Sequence, residues 1–347
     1  MTPLVLGLDI GGANLKAATA DKRAVSVPFA LWKQPDKLPA ALADLVGQFP
    51  DAEELAVTMT GELCDCYETK REGVNAILDA VAFAAKGRPV RVWSTDGAFV
   101  SVEESRRDHM KVAAANWHAL ASYLERYVPK GFAVLLDIGS TTTDIIPFFD
   151  GKIVTVGRTD PERLAHQELL YFGVRRTPLC AILGRKVATE LFATTLDVYL
   201  LLGMIPENRC DTDTADGKPA TQSHAHARIA RMKCSDSELM TIEDAKRFSQ
   251  EIHDGILDQL NTSLTLMLQS TLERLAKKPQ EMIFLVSGSG DFLIRKLFEY
   301  RQREPMNRLL LPIEFQDRVY LKSVLGPTVS ACAPAYALAV LATERRP

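Results

Sequence analysis

Short apolar runs separated by small-residue turns organise the start of the chain. Residues 4–9, 14–20 and 24–30 each carry the Val, Leu and Ala content of a short strand and predict three strands joined by turns. Leu38, Ala41, Leu42, Leu45, Val46 and Phe49 then recur at helical spacing and predict an amphipathic helix over 36–48. A buried strand follows at 54–60, ending in Gly61-Glu62. After it come a helix over 69–86 and a strand over 89–94 that ends in Ser94-Thr95-Asp96-Gly97. A helix over about 109–127 leads into residues 132–138, 142–148 and 151–156, where the three-strand opening recurs with Asp150-Gly151 as a hairpin turn.

The second half departs from the first. Residues 159–205 read as mostly helical, and 206–236, rich in Asp, Thr, Gly, His and Ser, read as a loop insertion. Thr241 and Asp244 resemble a capping box opening a long helix, in which Ile252, Ile256, Leu260, Leu264, Leu268 and Leu272 recur every four residues. A strand at 282–286 leads into Ser287-Gly288-Ser289-Gly290-Asp291, and an alanine-rich helix near 331–343 closes the chain. The order of three strands, then alternating helix and strand, is that of a ribonuclease-H-like half. The expected fold is therefore α/β, with two such domains around a central phosphate-binding cleft. The expected boundaries are 1–128 and 129–347, the latter carrying a helical and loop insertion at about 159–240.

A chain of 347 residues with 47% apolar and 24% charged positions is long enough for about two domains with full cores. The formal net charge of −3 leaves no basic footprint for nucleic acid. Six cysteines, at 64, 66, 180, 210, 234 and 332, form no disulfide framework, so a reducing cytoplasm is expected. The first apolar run is broken by Asp9 and lacks a basic leader, so no signal peptide is expected. No apolar stretch reaches the length of a membrane span.

Two segments carry the chemistry. Leu8-Asp9-Ile10-Gly11-Gly12-Ala13-Asn14-Leu15-Lys16 and Leu136-Asp137-Ile138-Gly139-Ser140-Thr141-Thr142-Thr143-Asp144 each run from an apolar strand through Asp-Ile-Gly into a small-residue turn. A single copy is matched by an ordinary glycine-turn hairpin; the repetition, with Asp9 and Asp137 separated by 128 positions, points to one device used twice. Consecutive N–H groups in such turns form a concave nest for phosphate oxygens. The expected phosphate contacts are Gly11, Gly12, Asn14, Lys16, Gly139, Ser140, Thr141, Thr142, Ser287, Gly288 and Gly290. Asp9 and Asp137 are the expected Mg²⁺ ligands, since that ion takes oxygen donors and retains part of its water shell.

These motifs resemble, in type, order and spacing, the actin, sugar-kinase and Hsp70 superfamily, and within it the hydantoinase/oxoprolinase-related group. Further segments narrow the resemblance: Met59–Leu63, Asn116-Trp117, Gly157–Asp160, Gly173–Pro178 and Asp213–Gly217. Together they are similar to proteins linked to tetrahydromethanopterin-dependent one-carbon metabolism, including enzymes of methanofuran biosynthesis. That resemblance implies a transferase condensing a furfuryl diphosphate with a (glutamyl)tyramine phenol, with release of diphosphate. Its substrates would be a small-molecule diphosphate and a phenolic amine, and it leaves room for an oligomer.

Such chemistry needs neutralisation of the leaving diphosphate and a base for a phenol of pKa about 10. Glu62 is the leading base, following a buried strand, and Asp96 the second. Arg175 and Arg176 suit bidentate binding of diphosphate or of a glutamyl carboxylate. Against each stands an ordinary role, as an acidic strand end satisfied by a helix N-terminus or as a surface arginine. Cys64-Asp65-Cys66 supplies too few ligands for zinc, and Cys210, His224, His226 and Cys234 have no regular zinc spacing. Asp211, Asp213 and Asp216 are an alternative Mg²⁺ set, while His109, His118, His166 and His253 read as structural. An ATP-dependent kinase or amidohydrolase on the same scaffold stays open, with ATP as its cofactor, as does a non-catalytic nucleotide sensor.

Overall fold

The computed structural model describes residues 3–277, 281–303 and 314–345. Its first sheet contains β1 (Val5–Ile10), β2 (Asn14–Thr19), β3 (Ala24–Pro28), β4 (Glu54–Met59), β5 (Val90–Trp93) and β6 (Phe99–Val100). The strand order is β3-β2-β1-β4-β5-β6. β1, β2 and β3 are antiparallel neighbours, while β4 runs parallel to β1 and to β5. The second sheet contains β7 (Phe132–Ile138), β8 (Thr143–Phe149), β9 (Lys152–Ile153), β10 (Leu169–Leu170), β11 (Glu281–Ser287) and β12 (Glu314–Tyr320). Its order is β10-β8-β7-β11-β12, with β9 on β8. The triplet β2-β1-β4 thus reappears as β8-β7-β11, two ribonuclease-H-like halves in one chain.

The strand period of two explains the layers. Phe132, Val134 and Leu136 point from β7 into a core with the long helix Ile242–Leu275 and the helix Asp291–Arg303. Ala133 and Leu135, on the opposite face, join a core containing helices Asn116–Leu124 and Ala333–Glu344 together with Val5, Ala18 and Ala56 of the first sheet. These two helices therefore lie between the sheets. The outer face of the first sheet packs on helices Leu38–Gly47 and Lys70–Ala85.

The closing helix, at the far end of the chain, covers the first sheet. Its backbone lies so close to β1 that a Cβ on Gly7 would sit 1.9 Å from the Ala335 carbonyl oxygen. The expected helix over 109–127 is broken into His109–Val112 and Asn116–Leu124, with Ala114 between them at a φ of 49°. Residues 159–205 hold short helices, Asp160–Ala165, Leu179–Leu183 and Thr195–Leu201, a 3-10 turn at Gly184–Lys186, and β10. The expected loop at 206–236 contains a helix, Gln222–Met232, whose start Thr221 caps by accepting the His224 N–H. Polar composition hid this helix; Ala225, Arg228, Ile229 and Met232 form its buried face, and Arg228 donates to Asp197 at 2.7 Å. Among the described residues, no helix is long and apolar enough to cross a membrane.

Candidate active site

The same local geometry builds both turns. The Gly11 N–H donates to the Asn14 carbonyl at 3.0 Å, and the Gly139 N–H donates to the Thr142 carbonyl at 2.8 Å. Both turns line one cleft of about 790 Å³ between the halves. Asp9, Gly11, Gly12, Asn14 and Lys16 enter from one side, and Asp137, Gly139, Ser140, Thr141 and Thr142 from the other, with Ser287 and Gly288 beside them. Gly290 is absent from the lining. Its N–H donates to the Ile138 carbonyl at 2.8 Å, so its small size serves packing under the second turn. Gly288 has a φ of 88°, and a Cβ there would lie 2.5 Å from Asp137 Oδ1, so glycine lets β11 approach the carboxylate.

Strand register sets the charges. Lys16 lies opposite Asp9 on β2, and Asp144 lies opposite Asp137 on β8. The duplicated position therefore carries a cation in one half and an anion in the other. Lys16 Nζ stands 3.9 Å from Asp9 Oδ2. Burial raises the Asp9 pKa against the opposing pull of Lys16, and Oδ1 is buried with no hydrogen-bond partner among the described residues. Asp137 is pushed up to about 7, first by burial and then by the Asp144 charge. Asp144 accepts from buried Arg163 at 2.6 Å, and Arg163 in turn lies 4.1 Å from the Trp117 ring centroid. Asp144 lines the cleft and is a site residue the sequence reading did not select, although it closes the second motif. Its signal was the register, which puts it where Lys16 stands in the first copy.

An Asp9 oxygen lacking a partner, facing a second carboxylate across a polar cleft, fits a hard cation. Among the described residues, no cluster of three or more His, Cys, Asp or Glu side chains is placed to hold a metal. A divalent ion here would therefore sit on one or two carboxylates and keep waters, the usual manner of Mg²⁺. The alternative acidic set is committed elsewhere: Asp211 pairs with Arg175, and Asp216 with Arg228 and Arg231. In the Cys/His segment, Cys210 and Cys234 are exposed, His224 contacts Thr221 and His226 contacts the Met240 carbonyl.

Three expected residues stand apart from the cleft. Glu62 is 1% exposed and does not line it. Lys70 instead lies 4.0 Å from Glu62 and 3.7 Å from Asp160 of the second half, a half-buried link across the seam. Burial pushes the Glu62 carboxyl up to about 7. Asp96 turns outward to Lys111 at 2.8 Å and is 57% exposed, so it has no contact with a substrate in the cleft. Arg175 makes two 2.7 Å hydrogen bonds to Asp211, which removes it from diphosphate binding. Both acids follow strands whose ends were read correctly; the direction of each side chain depended on helices packed later in the chain.

Arg176 does line the cleft, with its guanidinium 4.1 Å from the Trp32 ring centroid of the first half. Leu63 and Tyr171 line the same space and stay exposed. Trp32 and Tyr171 lie outside the phosphate motifs and gave no sequence signal. Cys64 also faces the cleft, where a Cβ on Gly12 would lie 2.7 Å from its Sγ. Burial pushes that thiol up to about 11, so it is neutral at pH 7.

Comparison with known proteins adds chemistry to this geometry. The hydantoinase/oxoprolinase family model matches residues 53–303. The (4-{4-[2-(gamma-L-glutamylamino)ethyl]phenoxymethyl}furan-2-yl)methanamine synthase of Methanocaldococcus jannaschii is 30% identical over 354 residues, covering 98% of this chain and 98% of its own. The protein of that name from Methanococcus vannielii is 29% identical over 229 residues, covering 64% of this chain and 95% of its own. Among solved structures, nucleotide-free acetone carboxylase aligns with 98% of this chain and 70% of its own, at 13% identity and a TM-score of 0.48.

Proposed function

This chain belongs to the hydantoinase/oxoprolinase family, and from that premise we propose that it is an ether-forming transferase of methanofuran-type cofactor biosynthesis. The reaction joins the phenol oxygen of a (glutamyl)tyramine to the CH₂ of a furfuryl diphosphate. One C–O bond forms to the phenol, the C–O bond to diphosphate breaks, and the phenol proton passes to a carboxylate. The observation that carries this reading is the pair of matching small-residue turns facing one cleft whose wall also presents Trp32, Leu63 and Tyr171. Diphosphate belongs at the turns, and an aryl group suits the wall.

Lys16 and the turn N–H groups stabilise charge developing on the leaving diphosphate. Asp9 and Asp137 would hold Mg²⁺, which when bound neutralises diphosphate charge. Buried Glu62 and outward-facing Asp96 do not reach a substrate in the cleft. The proton acceptor is therefore drawn from the cleft carboxylates not assigned to the ion: Asp144 beside the second turn, or Asp65 near Leu63. Arg163 holds Asp144 in place, donating to its carboxylate at 2.6 Å. The unpaired cysteines agree with work in a reducing cytoplasm on small-molecule substrates.

The test is a side-by-side titration with Mg²⁺ present, diphosphate against ATP and ADP, on wild type and Asp9→Asn, with ether formation followed by mass spectrometry. Tight diphosphate binding, weak ATP binding, loss in the variant and a product joining the phenol to the furfuryl group support the transferase. Tight ATP binding with ATP turnover and no ether product overturns it in favour of a kinase or amidohydrolase.

A further inference from the structure

Two consecutive arginines have opposite fates. Arg175 is tied to Asp211 and to the Asp213 carbonyl within the second half. Arg176 has no carboxylate partner among the described residues, and its guanidinium reaches across the seam to stack on Trp32. Its backbone is rooted on the second turn: the Val174 N–H donates to Gly139 at 3.0 Å, and the Arg175 and Arg176 N–H groups donate to Ser140 at 3.1 and 3.0 Å. Stacking fixes the plane of a guanidinium while leaving its N–H edge free for a planar oxyanion. Beside it Leu63 is 55% and Tyr171 61% exposed on the same cleft lining. Tyr171 is close enough to Cys64 and Arg176, both on the cleft lining, for each to influence its ionisation, which gathers these three side chains at one end of the cleft.

We propose that Trp32, Leu63, Tyr171 and Arg176 form an acceptor subsite for a phenol carrying an anionic tail. The ring lies against the Trp32, Leu63 and Tyr171 wall, and a tail carboxylate takes the free edge of Arg176. This rests on the transferase reading for the identity of the phenol. It differs from it in removing Arg176 from the diphosphate, whose charge the turns and Lys16 already meet. An aromatic wall has nothing to offer a diphosphate and much to offer a ring. A single guanidinium beside it distinguishes a carboxylate-bearing phenol from a bare one.

Binding can be read without turnover. Of the chain's three tryptophans, Trp93 and Trp117 are buried, so ligand-induced quenching reports on Trp32, and Trp32→Phe is the control. The probes are γ-glutamyltyramine, tyramine, which lacks the carboxylate, and diphosphate with Mg²⁺. Wild type is expected to prefer γ-glutamyltyramine over tyramine by about ten- to a hundredfold, the range of one charge-assisted contact. Arg176→Gln should collapse that preference and leave diphosphate affinity unchanged, while Tyr171→Ala should weaken both phenols alike. Weaker diphosphate binding in Arg176→Gln with the phenol preference intact overturns the subsite and makes Arg176 a phosphate clamp. Binding of γ-glutamyltyramine in the expected pattern without ether formation overturns the transferase and leaves the subsite standing. Ether formation in which Arg176→Gln lowers kcat without raising the acceptor KM overturns the subsite and leaves the transferase standing.

Discussion

Replacing Glu62 by Gln separates a buried structural acid from a catalytic one. In the folded protein burial raises this carboxyl from 4.5 to about 7, against the weaker opposing pull of Lys70. The folded state therefore favours the neutral form. The corresponding stability is fully present below pH 4.5 and is lost as the pH rises through 7. At about 1.4 kcal/mol per pH unit, the full effect is about 3 kcal/mol, roughly three-quarters of it between pH 5 and pH 8. Gln cannot ionise, so the variant should gain on wild type by about 2 kcal/mol across that interval, with Lys70 still held by Asp160 at 3.7 Å. The assay is urea unfolding of both proteins at pH 5, 6, 7 and 8, with turnover measured on the same preparations. Because Glu62 is 1% exposed and off the cleft lining, kcat should change by no more than a few-fold. Parallel stability curves, together with a loss of turnover of about a hundredfold or more, the size of a lost general base, would refute this reasoning and put Glu62 at the substrate.

Gly288→Ala should cost about 2 kcal/mol or more and most of the activity, since its Cβ would lie 2.2 Å from the Ile138 carbonyl oxygen and press on Asp137 at a φ of 88°; denaturation and diphosphate titration check both parts. Arg175→Ala should free the 208–220 segment to limited proteolysis while leaving diphosphate affinity unchanged, because its partners are Asp211 and Asp213. Burial and the nearby Arg158, Arg345 and Arg163 lower the His118 pKa to about 4. Its contribution to stability is therefore present above pH 6.5 and is lost as the pH falls through 4. An imidazole resonance that titrates near 6.5 in the folded protein would contradict that burial.

The chain by itself determined whatever depends on neighbours a few residues away. The Asp-Ile-Gly turns, the apolar runs of β1 and β7 and the four-residue spacing within Ile242–Leu275 are local, and all three elements formed where their patterns lay. That locality placed Asp9 and Lys16 at one turn and Asp137 and Thr142 at the other; packing of the two halves brought the turns to one cleft. The limit shows in side chains at the ends of correctly placed strands. The end of β4 was legible, but Glu62 turned inward, with Lys70 4.0 Å away. The end of β5 was legible too, but Asp96 faces solvent and Lys111. Arg175 and Arg176 are adjacent, and adjacent side chains on an irregular segment point to different surroundings; the insertion took one, and Trp32, more than 140 positions earlier, took the other. The closing helix is the clearest case. Ala333–Glu344 is apolar nearly all round, which announces burial without naming the surface that covers it. Only the folded chain, by leaving a groove at Gly7 deep enough for the Ala335 backbone, decided that a helix at the end of the second half would pack on the first. Turn chemistry and periodicity act within a few bonds. Which surface covers which is a competition among distant parts of the chain, settled by fit and buried area once they meet.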